Sequence, residues 1–210
     1  MDRPFVLGLT GSAAMGKSTA AAMLRAEGVP VWDADAAVHA LYGPDGAGTR
    51  AVAALRPEAV GPGGVDRARL RAALRDDPGL LARLEAAIHP LVAADRARFL
   101  ADHRGAALVA LDVPLLFETG LDAVCDGVAV VSAPEAVQRA RLRARPGLGE
   151  AEIALLLARQ MPDAAKRARA RWIIPGDTLD GARAAVRDML AEIRGARGGG
   201  TGPEGAERTG

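Results

Sequence analysis

The residues with the clearest chemical spacing are Gly11-Ser12-Ala13-Ala14-Met15-Gly16-Lys17-Ser18, a full match to the pattern G-x-x-x-x-G-K-[ST]. A loop of this kind turns backbone N–H groups around phosphate oxygens, and the N-terminus of the following helix adds positive potential. The ATP-binding set expected here is therefore Gly11, Ser12, Ala13, Ala14, Met15, Gly16, Lys17, Ser18 and Thr19. Lys17 would reach the β- and γ-phosphates, and the Ser18 hydroxyl would ligate Mg²⁺. Of the 27 basic residues only Lys17 and Lys166 are lysines. Where arginine has replaced lysine almost everywhere, a retained ammonium points to chemistry that a guanidinium cannot do.

Carboxylates come next. Asp33 and Asp35 lie at the carboxyl end of a short apolar run, the edge that faces the ligand crevice in open parallel sheets. A carboxylate there could take a proton from a substrate hydroxyl or hold a metal, and it could equally cap the following helix. We assign Asp33 to chemistry and Asp35 to structure or magnesium. Asp112 follows the apolar run 107–111, where many P-loop enzymes hold Mg²⁺ with an aspartate, and Pro114 and Glu118 lie just beyond. Arg139, Arg141, Arg143 and Arg145 share one segment. A lid bringing guanidinium groups onto phosphate is the functional reading, and a solvated basic face is the plainer one for most of them. His89-Pro90 reads as packing rather than a metal site, since His39 and His103 are distant in sequence.

The elements that must position these groups alternate. Residues 5–10 read as a buried strand, 17–27 as a helix closed by Gly28, and 29–32 as a second strand running into a helix to about Leu41. Strand, helix and strand within about 30 residues imply a parallel βαβ unit. Residues 43–64 are rich in Gly and Pro and read as loop. Helices are expected at about 66–74, at 80–103 with a bend near Pro90, at 135–145, at 150–160 and at 179–194. Strands are expected at 107–111, 127–131 and 172–174, and a basic segment at 166–171. The class is α/β, with a mainly parallel sheet covered on both faces. From Gly195 the chain is glycine-rich and is expected to be disordered.

Composition bounds the rest. A chain of 210 residues, half hydrophobic and a quarter charged, fits one domain with insertions and excludes a collagen-like or natively disordered protein. Net charge is +1 and six residues are aromatic, which disfavours nucleic acid as a partner. No run approaches the ~18 apolar residues of a membrane span, and residues 4–16 are too interrupted for a signal peptide. The one cysteine, Cys125, cannot form an internal disulfide, so a cytoplasmic location is expected. The absence of asparagine removes the N-K-x-D guanine motif of nucleotide switches.

Several of these segments together are more specific than the phosphate loop. Gly8-Leu9-Thr10-Gly11 with Gly16-Lys17-Ser18-Thr19, then Asp33-Ala34-Asp35, Ile88-His89-Pro90, Asp112-Val113-Pro114-Leu115-Leu116-Phe117-Glu118 and Arg159-Gln160-Met161-Pro162 resemble dephospho-CoA kinases, in the family's order over about residues 5–194. The resemblance implies transfer of the ATP γ-phosphoryl group to the ribose 3′-hydroxyl of dephospho-CoA. It implies a five-stranded parallel core (about 1–35, 105–135 and 172–194), a helical acceptor-binding insertion (about 36–104) and a lid (about 136–171), followed by a tail at 195–210. It matches Asp33 to the general base, Lys17 and Ser18 to the phosphate and Mg²⁺ ligands, and Arg141 to a lid arginine on the ATP phosphates. His89, Pro114, Leu115 and Glu118 fall in segments lining the acceptor site. Another P-loop metabolite or nucleoside monophosphate kinase, or a non-catalytic ATP-binding regulator, is the alternative. Two departures stand out. Ser12, Ala13 and Ala14 occupy a loop that is usually richer in glycine, so a left-handed residue there would be strained. Pro175 replaces the usual aspartate after the last strand, which puts adenine contacts around Pro175, Gly176 and Asp177 in question.

Overall fold

The computed structural model describes residues 3–198. In chain order the elements are β1 (Phe5–Thr10), α1 (Lys17–Ala26), β2 (Val31–Asp33), α2 (Ala34–Leu41), α3 (Ala47–Leu55), the short strands β3 (Val60–Gly61) and β4 (Gly64–Val65), α4 (Arg67–Asp76) and α5 (Leu80–Asp102). They continue with β5 (Leu108–Asp112), β6 (Gly127–Ser132), α6 (Glu135–Arg143), α7 (Glu150–Ala158), α8 (Asp163–Arg169), β7 (Trp172–Pro175) and α9 (Leu179–Gly198). Five strands form one parallel sheet in the order β2-β5-β1-β6-β7, and β3 with β4 makes a separate antiparallel hairpin. The α/β class and the five-stranded parallel sheet are those expected from the sequence. They follow from near-continuous apolar runs such as 108–112, whose five residues are all buried.

Contacts gather into two compact units, one built on Pro30–Val113 and the other on Phe5–Val29 with the chain from Pro114 onward. In the second, β6 pairs with β1 from Leu7↔Gly127 to Thr10↔Val130, and β7 pairs with β6 from Ala129↔Trp172 to Ser132↔Pro175. Helix α9 packs on β7 and α1. Its buried residues Ala182, Val186, Met189, Leu190 and Ile193 recur every three or four positions and form one apolar stripe. Trp172 donates its indole N–H to Glu192 Oε2 at 2.7 Å, and the Arg171 guanidinium lies 4.5 Å from its ring centroid.

The unit built on Pro30–Val113 has its own core of Val52, Ala59, Leu70, Leu80 and Leu84, contributed by α3, α4, α5 and the turn between α3 and β3. Fully burying each such leucine is worth about 1.5–3 kcal/mol. Asp66 starts α4 by accepting the N–H groups of Ala68 and Arg69 at 2.9 and 3.1 Å. Trp32 ties β2 to α5 through its indole N–H, which donates to Asp95 Oδ2 at 2.9 Å.

Three segments differ from expectation. The stretch 43–64 carries helix α3 and the hairpin rather than loop. Its glycines serve close packing: a Cβ on Gly46 would fall 2.0 Å from the Leu41 carbonyl oxygen, and one on Gly48 2.9 Å from it. The basic segment 166–171 falls largely within α8, which follows Pro162. Helix α9 continues past 194 to Gly198, so the tail expected from Gly195 begins as helix, and its remainder lies outside the described residues.

Candidate active site

Helix α1 begins at Lys17 because the loop before it reverses through two left-handed residues, Ala14 at φ 62° and Gly16 at φ 99°. Gly16 reaches that conformation without a Cβ, whereas Ala14 carries one and is held there at a cost of roughly 1–2 kcal/mol. The strain expected for a loop poor in glycine thus falls on Ala14. Gly11 is needed for a different reason, since a Cβ there would lie 2.6 Å from the Val131 carbonyl oxygen on β6. Gly176, after β7, comes so close to the loop that a Cβ would sit 1.8 Å from the Met15 carbonyl oxygen.

The outer side of the loop is bonded to α6 and to the turn before α8. Gln160 Oε1 accepts the Ala13 N–H at 3.0 Å, Gln138 Nε2 donates to the Ala13 carbonyl at 2.9 Å, and Arg141 Nη1 donates to the Ala14 carbonyl at 3.2 Å. Ser12 and Met15 line a cavity of about 480 Å³ with Gln138, Gln160, Met161 and Asp163. Arg139 and Arg143 both pair with Glu150, which joins α6 to α7 and fits the solvated reading for those two.

The segment after β5 is fixed from within the same unit. Thr10 Oγ1 donates to the Pro114 carbonyl at 3.0 Å, and Lys166 Nζ donates to that carbonyl at 3.1 Å. The ammonium of Lys166 also lies 2.9 Å from Glu118 Oε1, which accepts the Met161 N–H at 2.8 Å. Burial opposes charge on Glu118, but the Met161 N–H and the Lys166 ammonium outweigh it and hold the carboxyl below its ordinary value. Leu115 remains 39% exposed.

In the unit built on Pro30–Val113, Asp33 and Asp112 are register partners at the carboxyl ends of β2 and β5. Adjacent strands lie about 4.8 Å apart, so the two backbones meet at this edge. Asp33 Oδ1 accepts the Ala36 N–H at 3.0 Å and caps α2, while Asp112 is 2% exposed. A carboxylate has about four lone-pair sites, so the cap bond alone does not exhaust Asp33. Asp35 stands in the first turn of α2 and lines a cavity of about 530 Å³ with Val38, Tyr42, Arg67, Leu70, Arg71 and Leu74. Burial pushes the Tyr42 hydroxyl up, with Arg67 opposing. His89 is exposed on α5.

The sequence profile of the family described as dephospho-CoA kinase matches residues 5–180. The chain belongs to the dephospho-CoA kinase family. A curated dephospho-CoA kinase of Cereibacter sphaeroides is 56% identical over 192 residues, covering 91% of this chain and 97% of that protein. The crystal structure of TT1252 from Thermus thermophilus is 37% identical with a TM-score of 0.73, covering 90% of this chain and 98% of that one. A dephospho-CoA kinase from Campylobacter jejuni shares the fold at a TM-score of 0.63, with 19% identity and coverage of 90% and 96%.

Against the family resemblance, the residues separate by unit. The phosphate loop, Arg141, Pro114, Leu115 and Glu118 belong to one, and Asp33, Asp35, His89 and Asp112 to the other. Asp33 is itself the helix cap, the role weighed for it as the alternative to chemistry. Glu118 engages the protein interior through Lys166 and Met161. Sequence reasoning missed Gln138, and it named Thr10 and Gln160 only within the family-like segments, without a role as supports of the site. Lys166 was marked by its rarity as a lysine, but without a role.

Proposed function

We propose that the protein transfers the γ-phosphoryl group of ATP to the ribose 3′-hydroxyl of dephospho-CoA, the last step of coenzyme A synthesis, in the cytoplasm. The observation that carries this reading is family membership over residues 5–180 with Lys17, Ser18, Asp33 and Asp112 all present. Phosphoryl transfer asks a protein mostly for positioning and charge stabilisation. Backbone N–H groups of residues 11–19 hold the ATP phosphates. Lys17 neutralises the γ-phosphate, and Arg141 joins it by leaving the Ala14 carbonyl for a phosphate oxygen. Asp33 accepts the 3′-hydroxyl proton as the new O–P bond forms and the bond to the ADP oxygen breaks. His89, Pro114 and Leu115 lie on the acceptor side, with Glu118 fixing that segment.

Among the described residues no group of three or more His, Cys, Asp or Glu converges as a metal cage. Magnesium in kinases needs no such cage, because one or two carboxylates, the substrate phosphates and several waters complete its shell. The oxygen donors Asp112 and Ser18 suit it and are the proposed ligands. Bound Mg²⁺ supplies neutralisation of phosphate charge.

The test is a coupled assay of ADP release from Mg-ATP with and without dephospho-CoA, using Lys17→Ala as the blank. Acceptor-dependent release that vanishes in the blank is expected. ATP binding with release driven by another nucleotide or hydroxy acid, or with no release at all, would overturn the acceptor or the enzymatic reading respectively.

A further inference from the structure

We infer that Gln138 and Gln160 are positioning residues that brace a phosphate loop lacking a glycine at position 14. The inference rests on the nucleotide reading above. At Ala14 the left-handed conformation, φ 62°, competes with ordinary right-handed or extended backbone that alanine prefers. Left alone, residues 13–15 would rotate away, and the N–H groups that must converge on phosphate would scatter. The preceding residue, Ala13, prevents this through both of the peptide units it belongs to. Its N–H donates to Gln160 Oε1 at 3.0 Å, and its carbonyl accepts from Gln138 Nε2 at 2.9 Å.

The two amides are placed for this and little else. Gln138 is 5% exposed on α6, where a buried amide needs a partner and finds it in the Ala13 carbonyl. Gln160 sits in the turn between α7 and α8, and its neighbour Met161 is tied to Glu118, which Lys166 fixes in turn. The brace is therefore anchored to an ion pair whose ammonium is fully buried. Arg141 contributes a third bond, to the Ala14 carbonyl, but that guanidinium is assigned to phosphate. The glutamines are the part of the brace that stays when nucleotide arrives. Both act through the loop, by the N–H and carbonyl of Ala13.

The brace should matter only while position 14 resists its conformation. The experiment is a double-mutant comparison of Gln138→Met with and without Ala14→Gly, reading KM and kcat for Mg-ATP with dephospho-CoA and the calorimetric Kd for Mg-ATP. With Ala14 present, Gln138→Met should raise KM and Kd about 5-fold, the worth of one lost hydrogen bond, and change kcat by less than about 2-fold. In the Ala14→Gly background the same substitution should raise them by less than about 2-fold, because glycine holds φ > 0 unaided. Equal effects in both backgrounds, or unchanged affinity in both, would overturn the brace. Should Gln138→Met not fold, Gln160→Met at the partly exposed edge is read by the same cycle. The Kd arm separates the two readings. Wild-type ATP binding with no turnover on dephospho-CoA sinks the acceptor assignment and leaves the brace to be judged on Kd alone.

Discussion

Lys166 is wholly buried on α8, and its ammonium lies 2.9 Å from Glu118 Oε1 and 3.1 Å from the Pro114 carbonyl oxygen. One of the two lysines in an arginine-rich chain thus ties the last helix before β7 to the segment that follows β5. An ammonium fits here because it is compact, and a planar guanidinium would need more room.

Removing the ammonium takes one donor from Glu118, which keeps the Met161 N–H and some solvent access, and one from the Pro114 carbonyl, which keeps the Thr10 hydroxyl. Lys166→Met should therefore lower stability by about 2 kcal/mol, below the scale for a fully buried ion pair. For a chain of this size that corresponds to a Tm loss of roughly 4–8 °C, measurable by calorimetry. Lys166→Arg should not restore it. A Tm within a degree or two of the parent for Lys166→Met would show that water replaces the ammonium.

The same pair sets a pH dependence. The Glu118 carboxyl is held below its ordinary value of 4.5, so it contributes stability above that pH and loses it as the pH falls through its folded value. Denaturation midpoints followed from pH 7 downward should decline below about pH 4.5, and the decline should be shallower in Glu118→Gln. An unchanged slope in that variant would assign the acid sensitivity to other carboxylates.

Asp33 holds two roles that one substitution can separate. Asparagine caps a helix about as well as aspartate, so Asp33→Asn should leave Tm nearly unchanged while lowering kcat by ~10²–10⁴-fold through loss of the base. Asp33→Ala should lose the cap as well, at about 1 kcal/mol. Near-normal turnover in Asp33→Asn would remove Asp33 as the base.

The loop glycines and alanines should respond with opposite signs. Gly16→Ala imposes a Cβ at φ 99°, 3.2 Å from the Gly176 carbonyl oxygen, and should destabilise by about 1–3 kcal/mol. Ala14→Gly relieves a left-handed alanine and should leave Tm equal or slightly higher, because the relief offsets the chain entropy of glycine. Thermal denaturation of the two single variants checks both, and a clear Tm loss in Ala14→Gly would mean that the alanine methyl is packed rather than strained.

How much could be read from the sequence depended on whether a residue's signal was local. The parallel strands announced themselves because burial on both faces writes an unbroken apolar run, as in 107–111. The phosphate loop and the Asp33–Asp112 edge were legible because their spacing is fixed by local geometry. Helix α3 was not, because Gly46 and Gly48 look like loop punctuation until the Leu41 carbonyl is seen pressing on them. The support Gln138 was also silent, and Gln160 stood out only as part of a family-like segment. Their partners, the Ala13 carbonyl and the Ala13 N–H, lie 125 and 147 residues away, and no periodicity records a bond across that distance.

The two tryptophans have a use beyond packing. Trp32 bonds to Asp95 within the unit built on Pro30–Val113, while Trp172 bonds to Glu192 within the other. Each compact unit thus carries its own fluorophore, with an indole N–H held by a different carboxylate. Phenylalanine at one position leaves a tryptophan emission that reports on the other unit alone, so the unfolding of the two units could be watched through separate windows in the same chain.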